Sequence, residues 1–379
     1  MIILKQNLGV DVDSRSLKVS FQKIDNQQNI KIKGSRTFSN TAKGFEELLK
    51  WVNSKKDDSK SVHVTMEATG VYYENLAYFF YEQKDYIVHV VLPNKSVAYF
   101  KSLNAKSKTD QIDAKLLGHM GLERKLEQWI PGSSQMRLIK KLSRERLRIQ
   151  TEKVMVSNQL HAEKKSYMPS LESVKRYEER IEFLAQQMTA IEKELKTKVN
   201  QDEELKERID NVCTAKGIRF ITAIGVVAEM DGFALFKNRN QVVSYGGYDV
   251  VKRESGQAVF GKTKISKKGN SIIRKLLYFP ALSAAQHDEH HKKYYERVVD
   301  NTKIPMKGCV AIQRKLLLLI YTLYTKNVPY DPNYEHQVVA KLKVQQNRLK
   351  AEAKQKKLEK FGEKITELCR PCISMTYSG

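Results

Sequence analysis

The chain has 379 residues, enough for two domains and connecting helices, each with its own core. Lysine and arginine total 67 against 43 acids, a formal charge of +24 that calls for a polyanionic partner, because each neutralised phosphate releases condensed counterions. No apolar run approaches the roughly 18 residues of a membrane span, and the longest lies around Leu316–Ile320, so a membrane partner is not expected.

The N-terminus, MIILKQNLGVDVDS, lacks the basic region and cleavage site of a secretory signal. Cys213, Cys309, Cys369 and Cys372 are too few and too scattered for a disulfide framework. Both features point to a cytoplasmic, nucleoid-associated protein of a prokaryote.

Three β-rich segments come first: Ile3–Val12, Leu17–Ile24 and Asn29–Phe38. A helix over Ala42–Lys55 follows the cap signal Ser39-Asn40-Thr41. Ser61–Met66 then reads as a buried strand, Tyr72–Gln83 as a helix and Tyr86–Leu92 as a strand, with a last helix starting near Asp110. Three strands followed by alternating α and β elements is the order of a ribonuclease H-like α/β domain, assigned to residues 1–130.

From Ser134 to Val212 glycine disappears, and apolar residues recur at helical spacing. Val174, Tyr177, Ile181, Leu184, Met188, Ile191 and Leu195 form an a/d seam over three heptads. Tyr167-Met168-Pro169-Ser170 breaks the run, so residues 131–210 read as a long antiparallel helical hairpin or a dimerising coiled coil. Residues 211–335 return to a globular, mainly α composition, and 336–379 form a basic tail. Within that tail Cys369 and Cys372 resemble half of a zinc ribbon, but without a partner pair they read as incidental.

Acids occur in the first domain where a metal site would need them. Asp11 ends an apolar strand, Glu67 ends the strand before Ala68-Thr69-Gly70, and Asp110 and Asp113 share one helix face at i, i+3 spacing. Asp13, two residues after Asp11, is a competing candidate. Hard oxygen ligands of this kind suit a pair of Mg²⁺ ions, with Mn²⁺ as a possible substitute. Two such ions about 4 Å apart can activate an attacking oxygen and stabilise a leaving one. Lys106, Lys108 and Lys115 are placed to neutralise phosphate beside these acids. Taken singly, an Asp at a strand end is an ordinary turn residue, and an Asp pair opening a helix is ordinary dipole chemistry.

Between Tyr245 and Lys275 the chain reads YGGYDVVKRESGQAVFGKTKISKKGNSIIRK. Ser255 stands there among Lys252, Arg253, Lys262 and Lys264, with Lys267, Lys268 and Arg274 following. Cations around a hydroxyl offset the charge of a pentavalent phosphorus transition state, although local sequence alone makes Ser255 a loop residue. Ser266–Asn270 looks like a turn and cap opening one helix over Ser271–Leu282. Upstream, Lys216-Gly217-Ile218-Arg219 before Ile221–Met230 resembles a helix-hairpin-helix that offers backbone N–H groups to DNA phosphate.

Together these segments resemble the insertion-sequence transposases of the IS one-ten and IS eleven-eleven groups and the Piv-type DNA invertases. The resemblance rests on GVDVDS, MEATGVYYENLA, SKTDQIDAKLLG and ESG followed by GKTKISKKGNSIIRKLLY, and runs from about Leu8 to Tyr330. It implies a RuvC-like N-terminal domain with a four-carboxylate site at Asp11, Glu67, Asp110 and Asp113, and a nucleophilic serine at Ser255. It further implies double-stranded donor and target DNA, a structured noncoding guide RNA whose pairing reads sequence, and a homodimer or homotetramer. One departure is that Lys216-Gly217-Ile218-Arg219-Phe220 stands where the family commonly has Pro-Gly-Ile-Gly-Pro.

Three other readings compete. A metal-dependent junction-resolving nuclease would use water in place of serine. An actin-like kinase would need a second Gly/Thr-rich phosphate loop, which is missing from the sequence. A non-enzymatic nucleic-acid-binding protein accounts for the charge but leaves the ordered acids unexplained.

Overall fold

The computed structural model describes residues 2–104, 109–251, 254–255, 259–260 and 264–332. The chain divides into two compact units, Met1–Gly132 and Ser133–Gly379.

In the first unit β1 (Ile3–Val12), β2 (Ser16–Asp25) and β3 (Ile30–Ser39) form an antiparallel meander. Helix α1 (Ala42–Asn53) leads to β4 (Val62–Glu67), α2 (Glu74–Tyr81) to β5 (Tyr86–Val91), and α3 (Pro93–Ser102) and α4 (Asp110–Glu123) follow. The sheet order is β3-β2-β1-β4-β5, with β4 parallel to both β1 and β5. This is the mixed, helix-flanked sheet that the element order predicts. Leu8, Val10, Leu17, Val19, Phe21, Val64 and Met66 are fully buried on it, so β1 and β4 are central strands.

Thr41 caps α1, its hydroxyl accepting the Gly44 N–H, as the Ser-Asn-Thr signal predicts. The sequence reading has no helix at α3, although Pro93 at its first position is a legitimate start signal.

The second unit is helical. Helix α5 (Ser134–Lys165) and α6 (Leu171–Asn200) run as a hairpin across the break at 166–170. Leu184, Ile191 and Leu195 of the heptad seam are buried, as is Val156 of α5, and Arg146–Glu192 and Arg180–Glu152 ion pairs bridge the two helices. The seam is therefore used within the chain.

Next come α7 (Glu203–Cys213), α8 (Phe220–Glu229) and α9 (Arg239–Tyr245). Four two-residue strands follow: β6 (Val250–Val251), β7 (Glu254–Ser255), β8 (Val259–Phe260) and β9 (Lys264–Ile265). β6 pairs with β9, and β7 with β8, both antiparallel.

The expected helix over Ser271–Leu282 is two helices, α10 (Ser271–Leu276) and α11 (Tyr278–His287). Pro280 explains the break, because it has no N–H to give and its ring clashes with the carbonyl four residues back, at Leu276. Helices α12 (Glu289–Thr302) and α13 (Pro305–Lys326) complete the unit. Ile312, Leu316, Leu317 and Ile320 of α13 are fully buried, and its core also takes in Ile139 and Leu195 from the hairpin's base. No helix among the described residues is long and apolar enough to cross a membrane.

Candidate active site: an acid cluster and a serine-bearing ribbon

Strands β1 and β4 are parallel neighbours in register, with Val10 beside Met66. One step further along come Asp11 and Glu67, so both carboxylates leave the same end of the sheet. Helix α4 brings the other two. Thr109 caps it by accepting the Ile112 N–H at 3.3 Å, which fixes Asp110 and Asp113 in the first turn.

The helix lies against the sheet through main-chain atoms. A Cβ on Gly9 of β1 would sit 2.1 Å from the Ala114 carbonyl and 2.2 Å from the Gly118 nitrogen. Buried polar groups set its position along the strands. Asn7 Nδ2 donates to the Gly118 carbonyl at 2.8 Å, Thr65 Oγ1 donates to Asn7 Oδ1 at 3.0 Å, and Gln22 Nε2 donates to the Lys115 carbonyl at 2.9 Å.

The acids share one electrostatic field. Burial first, then the charges of Asp110, Asp113, Glu67 and Asp13, push the Asp11 carboxyl up to about 6. Two hydroxyls orient Glu67: fully buried Ser96 of α3 donates to Oε2 at 2.6 Å, and Thr69 donates to Oε1 at 3.1 Å. Sequence reasoning did not find Ser96, whose link to Glu67 spans 29 residues.

The donors are of the right kind for a hard divalent cation, being carboxylate oxygens on rigid elements, with burial and neighbouring like charges both raising Asp11. Among the described residues, no three acids, histidines or cysteines are grouped tightly enough to hold one ion as they stand. Ligation of a single cation by three of these acids thus requires their side chains to turn inward. Like charges resist that movement until a cation offsets them.

In the second unit Ser255 lies on the backbone of β7, within the paired strands β6–β9. Its side chain lies outside the described residues, as do Lys106, Lys108, Lys252, Arg253, Lys262, Cys369 and Cys372. Lys115 on α4 is exposed, and so are Lys264 on β9 and Lys267 and Lys268 just after it. Arg274 is half-buried, its guanidinium donating to the carbonyls of Gly246, Asn270 and Lys267 at 2.8, 3.3 and 3.4 Å. Lys216 and Arg219 are exposed on either side of the turn before α8, where Gly217 has a φ of +84°, a conformation that favours glycine.

Comparison with known proteins gives matches to both units. A family model described as a transposase matches residues 8–169, and one described as the transposase IS116/IS110/IS902 family matches residues 209–296. The pilin gene-inverting protein of Moraxella bovis is 26% identical over 329 residues, covering 86% of this chain and 98% of that protein. Its counterpart from Moraxella lacunata matches to the same extent. Among solved structures, RuvC of T. thermophilus in complex with a Holliday junction substrate matches 34% of this chain and 84% of its own, at 10% identity and a TM-score of 0.23. The two family models cover the acid cluster and the serine-bearing ribbon alike, and the chain belongs to the IS116/IS110/IS902 family of transposases.

Proposed function

We propose that this transposase cuts and rejoins duplex DNA by divalent-metal-assisted phosphoryl transfer through a covalent serine intermediate, guided by a noncoding RNA encoded beside its gene. The observation that carries the reading is the gathering of acids from β1, β4 and α4 around one half-buried carboxyl, in a chain of this family. Asp11, Glu67, Asp110 and Asp113 are the residues that would hold the ions. When bound there, Mg²⁺ would offset charge on the scissile phosphate and on the departing oxygen.

Ser255 Oγ forms the new bond to phosphorus and gives up its proton. The 3′ oxygen of the cut strand leaves with the bonding electron pair and is protonated. A hydroxyl of a second strand then attacks the phosphoserine, releasing the serine and restoring a phosphodiester. The number of phosphodiester-type bonds is unchanged at each step, so no nucleotide cofactor is consumed. Strand exchange between donor and target calls for a dimer or tetramer, and the +24 charge serves both DNA and RNA.

The test uses labelled duplex DNA spanning the gene's flanking junction, the adjoining RNA transcript and Mg²⁺, resolved on denaturing gels. Ser255→Ala is expected to abolish the protein–DNA adduct with nucleic-acid affinity intact, and survival of the adduct overturns the serine assignment. Glu67→Gln is expected to slow metal-dependent cleavage by about two orders of magnitude or more. Unchanged cleavage rejects the acid cluster. Cleavage with no adduct at any time would favour the water-using junction nuclease.

A further inference from the structure

Glu229 is the last residue of α8, and its side chain is 1% exposed. A carboxylate so deeply buried is costly unless paired and hydrogen-bonded. Arg144 of α5 grips it in a fork, Nε to Oε1 at 2.6 Å and Nη2 to Oε2 at 2.9 Å, and Lys140 Nζ stands 3.9 Å from Oε2. Asn270 adds a third hold, its Nδ2 donating to Oε2 at 2.6 Å. Burial alone would raise the pKa of this carboxyl, but these partners keep it below the ordinary glutamate range.

Asn270 also organises the segment that leaves the β6–β9 ribbon. Its Oδ1 accepts the N–H groups of Ile272 and Ile273, and its own N–H donates to the Tyr245 carbonyl at 2.7 Å. Tyr245 belongs to the segment that enters the ribbon, and its hydroxyl donates to the Glu229 carbonyl at 3.2 Å. The two segments touch through their backbones: a Cβ on Gly269 would lie 2.4 Å from the Tyr245 carbonyl. They are joined again at Asp249, whose carboxylate accepts from Ser266 Oγ at 2.6 Å and whose carbonyl accepts the Ser266 N–H at 2.7 Å. The root at Asn270 therefore hangs on the buried Glu229 carboxylate, which a long helix holds from the other side, and the root at Tyr245 hangs on the main-chain carbonyl of the same residue.

Replacing a buried ion pair with apolar side chains is often neutral or stabilising, so stability alone does not account for such a cluster. We propose that Glu229, gripped by Arg144 and Asn270, is a positioning residue for strand transfer: it fixes the root of the ribbon that carries Ser255 on the helical body of the second unit. This inference rests on the serine reading above.

Asn270→Asp tests it, keeping the oxygen that accepts both cap N–H groups while turning the amide donor into a carboxylate oxygen facing Glu229. Glu229→Gln keeps the shape and removes the charge. In the double variant the Gln amide can donate to the new carboxylate, restoring the bond in the opposite direction. At saturating labelled junction duplex, with the RNA transcript and Mg²⁺ present, each single variant should form adduct at least about tenfold more slowly, with duplex affinity unchanged. The double variant should recover to within about threefold of the parent.

Hydrogen exchange on the full chain gives a readout independent of chemistry: backbone amides over 250–265 should exchange at least about tenfold faster in Asn270→Asp. An adduct seen in the parent, lost in Ser255→Ala and formed at the parental rate in both single variants overturns the positioning role and leaves the serine standing. So does a double variant no better than its slower parent, or exchange over 250–265 that does not change. An adduct that survives Ser255→Ala sinks the serine reading and this inference with it.

Discussion

Ser96 acts on the acid cluster through Glu67. Its hydroxyl, donating at 2.6 Å, fixes one carboxylate oxygen and leaves that oxygen's remaining lone pair for a cation. Ser96→Ala should leave the fold intact and weaken divalent-ion affinity by about tenfold, measured by titration calorimetry. Unaltered affinity would show that Glu67 needs no such support.

A second pair of residues contributes to the first unit's response to acid. His63 Nδ1 and His89 Nε2 lie 2.8 Å apart with stacked rings, and His89 Nδ1 is 2.8 Å from the Glu127 carbonyl. Burial, then Lys5 and His89, hold His63 down at about 4, and burial lowers His89 as well. Below about pH 6.5 the unfolded chain takes up protons that the folded one refuses. The contribution of these two is therefore complete above about pH 6.5 and declines below it, down to about pH 4 for His63, by at most about 1.4 kcal/mol per pH unit each. The raised Asp11 carboxyl works in the opposite sense. Urea unfolding at pH 7 and pH 5 reads this slope, and His63→Gln should flatten it. A slope that His63→Gln leaves unchanged would remove the pair as a cause.

The strand-end acids were legible in the sequence because position along a strand is a local property. Ser96, the histidine pair and Glu229 were not, since their partners stand 26 to 85 residues away.

Among the elements, α4 depends on the glycine beneath it. Gly9→Ala would drive a methyl group into the Ala114 and Gly118 backbone, so α4 must lift or the strand must bend. The expected cost is about 1–3 kcal/mol or more of unfolding free energy, together with loss of divalent-ion binding as Asp110 and Asp113 move. Calorimetric melting and ion titration on one sample check both, and a variant with parental melting temperature and affinity contradicts the packing described.

Period and punctuation marked most elements correctly. The meander, α1, β4, β5 and the start of α4 follow from alternation, a Thr cap and a two-acid first turn. The helix over Ser271–Leu282 did not survive, because the apolar run masks the Pro280 break. The heptad seam fitted a hairpin or a coiled coil equally well in sequence. Only the packing of Leu184, Ile191 and Leu195 beside α5 reveals the use made of it within the chain.

For the whole molecule, the excess of cations makes a prediction about salt. If Lys and Arg neutralise six or more phosphates, affinity for duplex DNA should drop by about 10³-fold or more between 50 and 200 mM salt. Fluorescence anisotropy would measure the slope, and a flat response would deny the charge its assigned purpose. Net charge, the glycine-free stretch and the return to globular composition were all readable from residue counts alone. Whether the acids could share an ion was not, because that depends on side-chain directions at the ends of separate elements.

The α5–α6 hairpin has a mechanical consequence. From Arg144, tied to Glu229, to the end of α5 at Lys165 is about 32 Å of helix. A lever that long magnifies: turning its anchored end by about 10° sweeps the far end through roughly 5 Å, more than one base-pair step. The solvent-facing Tyr167 and Met168 at that far end would register such a tilt, so an adjustment too small to disturb the core around Glu229 becomes a displacement on the scale at which nucleic acid is measured.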